Sequence, residues 1–127
     1  MEKIIILVDD DPTFNWVSSK LIEKAAPDLK VNTYANGKTA LDFFLKGNAE
    51  EKIHYIIFLD INMPIMNGWE FMDALEENDL ARSYSIEVYI VTSSTDPSDK
   101  ETAKSHRLIK DYLEKPLNYD LMVQILS

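Results

Sequence analysis

Two stretches of this chain, Ile4-Ile5-Ile6-Leu7-Val8 and Tyr55-Ile56-Ile57-Phe58-Leu59, are apolar at every position and then stop on carboxylates, the first on Asp9 and Asp10, the second on Asp60. An uninterrupted apolar run of this length, bounded by turn residues, reads as a strand buried on both faces, the situation of a strand inside a parallel sheet. Such a strand needs helices above and below it, and the intervening sequence supplies them. In open α/β sheets ligands bind in the crevice outside the carboxyl ends of the strands, so a charge at that end faces chemistry and not core.

Asp11-Pro12 offers a capping side chain with proline at the first helical position, and Phe14, Val17, Leu21, Ile22 and Ala25 follow at helical spacing until Pro27-Asp28 closes the helix. Leu29 to Tyr34 reads as a short strand. Asn36-Gly37 is a turn before a second helix with Ala40, Leu41, Phe44 and Leu45 on its apolar stripe, ending at Gly47. After the strand that stops at Asp60, Met63-Pro64 and Asn67-Gly68 form a loop, and Trp69, Met72, Ala74 and Leu75 predict a third helix beginning near Met66 and fraying by Asn78. Ile86 to Val91 is a fourth strand that stops at Thr92-Ser93-Ser94, and Asp96-Pro97 starts a short helix over Ser98 to His106 with a thin apolar face. Asp111-Tyr112-Leu113 is a fifth strand closed by Lys115-Pro116, and Asn118 caps a last helix through Leu121, Met122, Ile125 and Leu126. Strand and helix alternate throughout, with connections too short for anything but crossovers. The prediction is a doubly wound α/β fold of five parallel strands and five helices, whose right-handed crossovers put every strand's carboxyl end on one edge.

With 127 residues, 46% of them hydrophobic, a single domain over residues 1–127 is expected. The absence of cysteine excludes a disulfide scaffold and thiolate chemistry and suggests a cytoplasmic location. A net charge of −9 makes the surface repel nucleic acid and anionic lipid, and no apolar run approaches the roughly 20 residues needed to cross a bilayer. Neither nucleic acid nor membrane is therefore expected as a partner.

The alternation gathers Asp9 and Asp10 from the first strand, Asp60 from the third, Thr92 from the fourth and Lys115 from the fifth on that edge. Singly, each has an ordinary structural role: a helix-favouring charge, a turn residue, a β-branched strand end, a solvated lysine. Independent structural roles would not be expected to coincide on one edge. Two carboxylates about 4 Å apart repel by about 4 kcal/mol at an effective dielectric near 20, so three together call for a cation. A hard divalent ion such as Mg²⁺ takes oxygen ligands and commonly shares them with a phosphate, and no histidine or thiolate stands near to favour zinc. A carboxylate oxygen of Asp60 left free can attack phosphorus, with Lys115 and the Thr92 hydroxyl holding the transferred oxygens.

In order along the chain, Leu7-Val8-Asp9-Asp10-Asp11-Pro12, Asn36-Gly37, Leu59-Asp60-Ile61-Asn62-Met63-Pro64, Asn67-Gly68, Val91-Thr92-Ser93 and Tyr112-Leu113-Glu114-Lys115-Pro116 resemble the signatures of two-component response regulator receiver domains. The resemblance covers nearly the whole chain and implies a flavodoxin-like sheet in the order 2-1-3-4-5, of the stand-alone type. It implies that Asp60 accepts phosphate from a phosphohistidine on a sensor histidine kinase or histidine phosphotransfer protein. The carboxylates of Asp10 and Asp60 with the Asn62 main-chain carbonyl would bind Mg²⁺, Asp9 assisting through water. Thr92 and Tyr112 look like the family's switch pair, one moving to the phosphoryl group and the other turning inward, so that a face made by the last two helices and the fifth strand changes its packing. The expected output is binding to another protein or onward transfer of the phosphate, by a monomer or a phosphorylation-linked dimer. Leu108 departs from it, standing where the family usually has glycine, and makes the loop before Tyr112 bulkier; Ser94 and Asn62 fall where the family tunes phosphate lifetime. His54 and His106 read as a loop residue and a helix-end charge.

Two other functions compete. One is a receiver-like interaction module that works without phosphate; retention of every charged site residue counts against it. The other is an aspartyl-nucleophile phosphatase, an enzyme that usually needs a second Asp two residues after the nucleophile. Asn62 occupies that place and has no carboxyl proton to give.

Overall fold

The computed structural model describes residues 2–127. In chain order it contains β1 (Glu2–Val8), α1 (Pro12–Ala25), β2 (Lys30–Tyr34), α2 (Gly37–Leu45), β3 (Ile53–Leu59), α3 (Gly68–Glu77), α4 (Leu80–Ser83), β4 (Ser85–Thr92), α5 (Pro97–Lys104), β5 (Ile109–Glu114) and α6 (Tyr119–Leu126). The five strands form one sheet ordered β2-β1-β3-β4-β5, and each neighbouring pair is parallel. The two apolar runs lie side by side at its centre, with Ile4 opposite Tyr55 and Val8 opposite Leu59.

Because side chains alternate across a strand, those runs feed two cores. Ile4, Ile6, Val8, Tyr55, Ile57 and Leu59 pack against α2 and α3 through Phe44, Phe71, Met72 and Leu75. Ile5, Leu7, Ile56 and Phe58 pack the other way, against Ile22 of α1 and Met122 and Leu126 of α6. A strand with both faces dry has no place for a polar residue until it ends. That is why the carboxylates appear where they do.

The caps follow the sequence signals. The Asp11 carboxylate accepts from the amides of Thr13 and Phe14, Asn36 from Thr39, Asp96 from Ser98 and Asn118 from Leu121. Among the described residues no helix is long and apolar enough to cross a membrane.

Several expectations are corrected. The described residues hold six helices, since the single turn α4 follows α3 after Asp79 enters the left-handed region at φ 53°. One turn is too short to carry a periodic stripe, so no sequence pattern marks it. The third helix begins at Gly68 and not near Met66, because Asn67 and Glu70 form a reciprocal capping box and Ile65 stands in the left-handed region at φ 68°. Val17 is exposed, since the face that α1 buries is Asn15, Ser18 and Ile22; Leu45 is exposed as well. His54 is a strand residue of β3, its Nδ1 2.6 Å from the Ser85 hydroxyl across the β3–β4 ladder. His106 lies just beyond α5 as expected, yet it is buried against the protein and meets Glu76 at 2.7 Å instead of standing in solvent.

Leu108 stands at the entry to β5. Its side chain packs against the α2–α3 core, its carbonyl accepts from the Val88 amide at 2.9 Å, and the β4–β5 register shifts between Val88 and Tyr89.

Candidate phosphoacceptor and metal site

Asp60 follows the last residue of β3, and its amide donates to the Val8 carbonyl at 2.9 Å, which ties it to the end of β1. The residue is only 6% exposed. Gly68 makes this placement possible: a Cβ there would stand 2.6 Å from the Asp60 carbonyl and 2.8 Å from Ile61 Cα. The first turn of α3 therefore rests directly on the strand end.

Asp9 is 2% exposed at the end of β1. Its Oδ1 accepts from the Asp11 amide at 2.9 Å, and its carbonyl accepts from the Asn15 side chain at 2.8 Å. Asp10 is exposed beside it. Asp9, Asp10 and Asp60 each offer a carboxylate oxygen within 4.8 Å of the other two. Lys115, just past β5, places Nζ 2.7 Å from Asp9 Oδ2 and 3.5 Å from Asp60 Oδ2. Its ammonium also sits over the Phe14 ring, 4.4 Å from the centroid. The backbone holds it there, the Lys115 amide donating to the Thr92 carbonyl at 3.0 Å.

One ammonium faces three carboxylates, and the acid–base behaviour reflects the imbalance. Burial raises the Asp60 pKa above the usual carboxylate value and the charge of Asp9 adds to it; Lys115 and the amides of Asn62 and Ile61 only partly oppose them. For Lys115, burial works to lower the pKa, but contact with Asp9 and Asp60 outweighs it and the net shift is upward. Hard oxygen donors, little solvent and uncompensated negative charge suit a hard divalent cation such as Mg²⁺.

Thr92 closes β4 with 1% exposure, and its Oγ1 accepts from the Ser94 amide at 3.1 Å. Tyr112 turns its ring toward the α2–α3 core, and its hydroxyl is buried without a hydrogen-bond partner. Burial raises its pKa, and the charges of Asp99, Asp96 and Glu114 add to it. From Ser94 a chain of contacts leads away: its hydroxyl donates to Asp99 Oδ2 at 2.6 Å, and Asp99 Oδ1 accepts from the Trp69 indole at 3.3 Å. Asn62 follows Asp60 by two residues, its amide 3.4 Å from Asp60 Oδ1.

A sequence profile of the response regulator receiver domain matches residues 5–127. The chain belongs to that family. The receiver is 30% identical over 123 residues to the hybrid signal transduction histidine kinase I of Dictyostelium discoideum, covering 96% of this chain and 7% of the kinase. It is 27% identical over 124 residues to the transcriptional regulatory protein PcoR of Escherichia coli, covering 97% of this chain and 49% of PcoR. The chain thus spans half or less of the length of these relatives. A two-component response regulator from Legionella pneumophila has the same fold, with a TM-score of 0.81 at 30% identity over 98% of this chain and 95% of that one.

Of the residues singled out from sequence, Asp9, Asp10, Asp60 and Lys115 come together, and Thr92 is tied to them through the backbone. Tyr112 lies apart from the carboxylates, next to Ser94. Two contributors were missed. Phe14 looked like core by its helical spacing, and Asn15 carried no signal, since only the fold shows its amide holding the Asp9 carbonyl. A surface cavity of about 600 Å³ opens beside the cluster, over α1 and the end of β2, lined by Asp9, Asp10, Asn15, Trp16, Lys20 and Tyr34.

Proposed function

We propose that this receiver takes a phosphoryl group onto Asp60 from a phosphohistidine donor, a sensor histidine kinase or a histidine phosphotransfer protein, and signals through the resulting change of surface. The observation that carries the reading is a buried Asp60 that shares its charge environment with Asp9 while one ammonium, that of Lys115, spans both at 3.5 and 2.7 Å. An Asp60 oxygen forms the new O–P bond as the donor's N–P bond breaks, and the imidazole leaves with the electron pair and takes up a proton. Mg²⁺, held by Asp10, Asp60 and the Asn62 main-chain carbonyl with Asp9 assisting through water, would supply charge neutralisation at the transferred oxygens. Lys115 contributes a point charge on the same side, drawn from Asp9 toward the acyl phosphate, and the Thr92 hydroxyl donates to a phosphoryl oxygen. Accepting from the Ser94 amide leaves the Thr92 hydroxyl its own proton to donate there. Tyr112, whose ring is already inward, then stays as the packing partner of the switched state, and the β5–α5–α6 face is the surface offered to a downstream protein or a second copy. Hydrolysis of Asp60's own acyl phosphate ends the signal; no other substrate is turned over. The cytoplasm is the compartment in which such donors present phosphohistidine.

Incubation with Mg²⁺ and a small phosphodonor should add one phosphate, seen by intact mass, and Asp60→Asn should remove it. Undiminished labelling of Asp60→Asn rejects Asp60 as the acceptor. Equal labelling in excess chelator rejects the role of the cation.

A further inference from the structure

Among the described residues, only two clusters bring three metal-ligating side chains together, and the second contains an imidazole. We propose that Asp73, Glu76 and His106 form a separate site for a borderline divalent cation of the zinc class, distinct from the all-carboxylate cluster around Asp60. Each of the three offers one ligand atom within 4.8 Å of the other two.

Asp73 and Glu76 stand three residues apart on α3 and so share a face, and Trp69, four residues before Asp73, lies on the same face. His106 reaches that face from the turn between α5 and β5. Two features distinguish it from a surface histidine. It is 9% exposed, and its ring lies flat on Trp69, with centroids 5.9 Å apart and planes 7° from parallel. The imidazole is therefore held in one plane before any ligand arrives, which removes much of the ordering cost of binding. Its Nδ1 already meets Glu76 Oε1 at 2.7 Å, and neither acid has a lysine or arginine within ion-pair distance among the described residues.

Ligand atoms on a tetrahedral ion with bonds of about 2.0–2.2 Å stand about 3.3–3.6 Å apart. Glu76 therefore withdraws slightly from the imidazole, and the exposed Asp73 swings inward. Glu76 and Asp73 are exposed and have room for this, whereas His106 is buried. Glu76 also borders a cavity of about 410 Å³ lined by Ala81, Ser105, Arg107 and Leu108, so its carboxylate is reached from solvent on that side. The donor types decide which cation: one nitrogen and two carboxylate oxygens suit Zn²⁺ or Co²⁺, whereas Mg²⁺ prefers oxygen alone. Three protein ligands leave a coordination position open to water, the pattern of an exchangeable site and not of a structural one.

Trp69 reports on its own stacking partner. The chain has two tryptophans, so Trp16→Phe, at a position 64% exposed, leaves Trp69 as the sole indole. In that background, with millimolar Mg²⁺ present, Co²⁺ should quench the fluorescence saturably at one equivalent, and Zn²⁺ should displace it. Asp73→Asn and Glu76→Gln, both at exposed positions, should each weaken Co²⁺ affinity at least tenfold. His106→Phe, which keeps an aromatic ring on Trp69, should abolish the quenching, and Asp60→Asn should leave it unchanged. Quenching that survives in Asp73→Asn and Glu76→Gln, that Mg²⁺ reverses, or that disappears in Asp60→Asn overturns the assignment.

Discussion

Asp60 carries its charge where burial and Asp9 both disfavour it. It is buried beside Asp9, and one lysine divides its charge between them, 2.7 Å from Asp9 and 3.5 Å from Asp60. Asp60→Asn keeps the shape of the side chain and removes one of the three negative charges. In the metal-free protein this substitution should stabilise by about 1–2 kcal/mol, in the range seen when strained functional groups are relieved. Urea unfolding in excess chelator checks it, and a loss of stability would mean that Lys115 neutralises Asp60 fully. Adding Mg²⁺ should then raise the melting temperature of the native protein more than that of Asp60→Asn, because a ligand stabilises only the state that binds it.

At the scale of elements, the site depends on how closely α3 sits against β3. Gly68 is the contact point, and a methyl group there meets main-chain atoms of Asp60 and Ile61, which have no flexible end to yield. Gly68→Ala should cost about 1–3 kcal/mol, the range for overpacking, and should slow phosphorylation by shifting the Asp60 carbonyl. Gly47 is the control. It has φ 77° and open space around the position of a Cβ, so Gly47→Ala should cost about 1 kcal/mol through backbone strain alone. Labelling by the phosphodonor should be unaffected there. Equal labelling rates in Gly68→Ala and the native protein would show that α3 does not position the acceptor.

For the whole molecule, alkaline pH tests how the two cores hold their phenols. Burial is the leading cause of the raised pKa values of Tyr34, Tyr55, Tyr89 and Tyr112. A phenol whose folded pKa exceeds its unfolded value of about 10 contributes stability that is fully present below pH 10. That contribution is lost as the pH rises through the folded pKa, so stability should fall above pH 10, with phenolate absorbance appearing together with loss of the far-ultraviolet helix signal. Full ionisation of these phenols while the fold persists would contradict the burial. At the same scale, the apolar runs were enough to specify a parallel sheet, because only a strand dry on both faces tolerates them. They were enough, too, to place carboxylates at one edge, since a polar residue can enter such a strand only where it ends. The strand order came from family resemblance and not from the residues. What periodicity could not supply was any feature decided by contact between distant segments. Asn15 and Phe14 join the site because the fold packs α1 beside the strand ends, His54 joins a strand because β3 pairs with β4, and His106 finds Glu76 and Trp69 because the α5–β5 turn packs against α3. Hydrophobic alternation is a local quantity and can be read along the chain. The pairing of one polar group with another 30 residues away, as in His106 and Glu76, exists only after the chain has closed on itself.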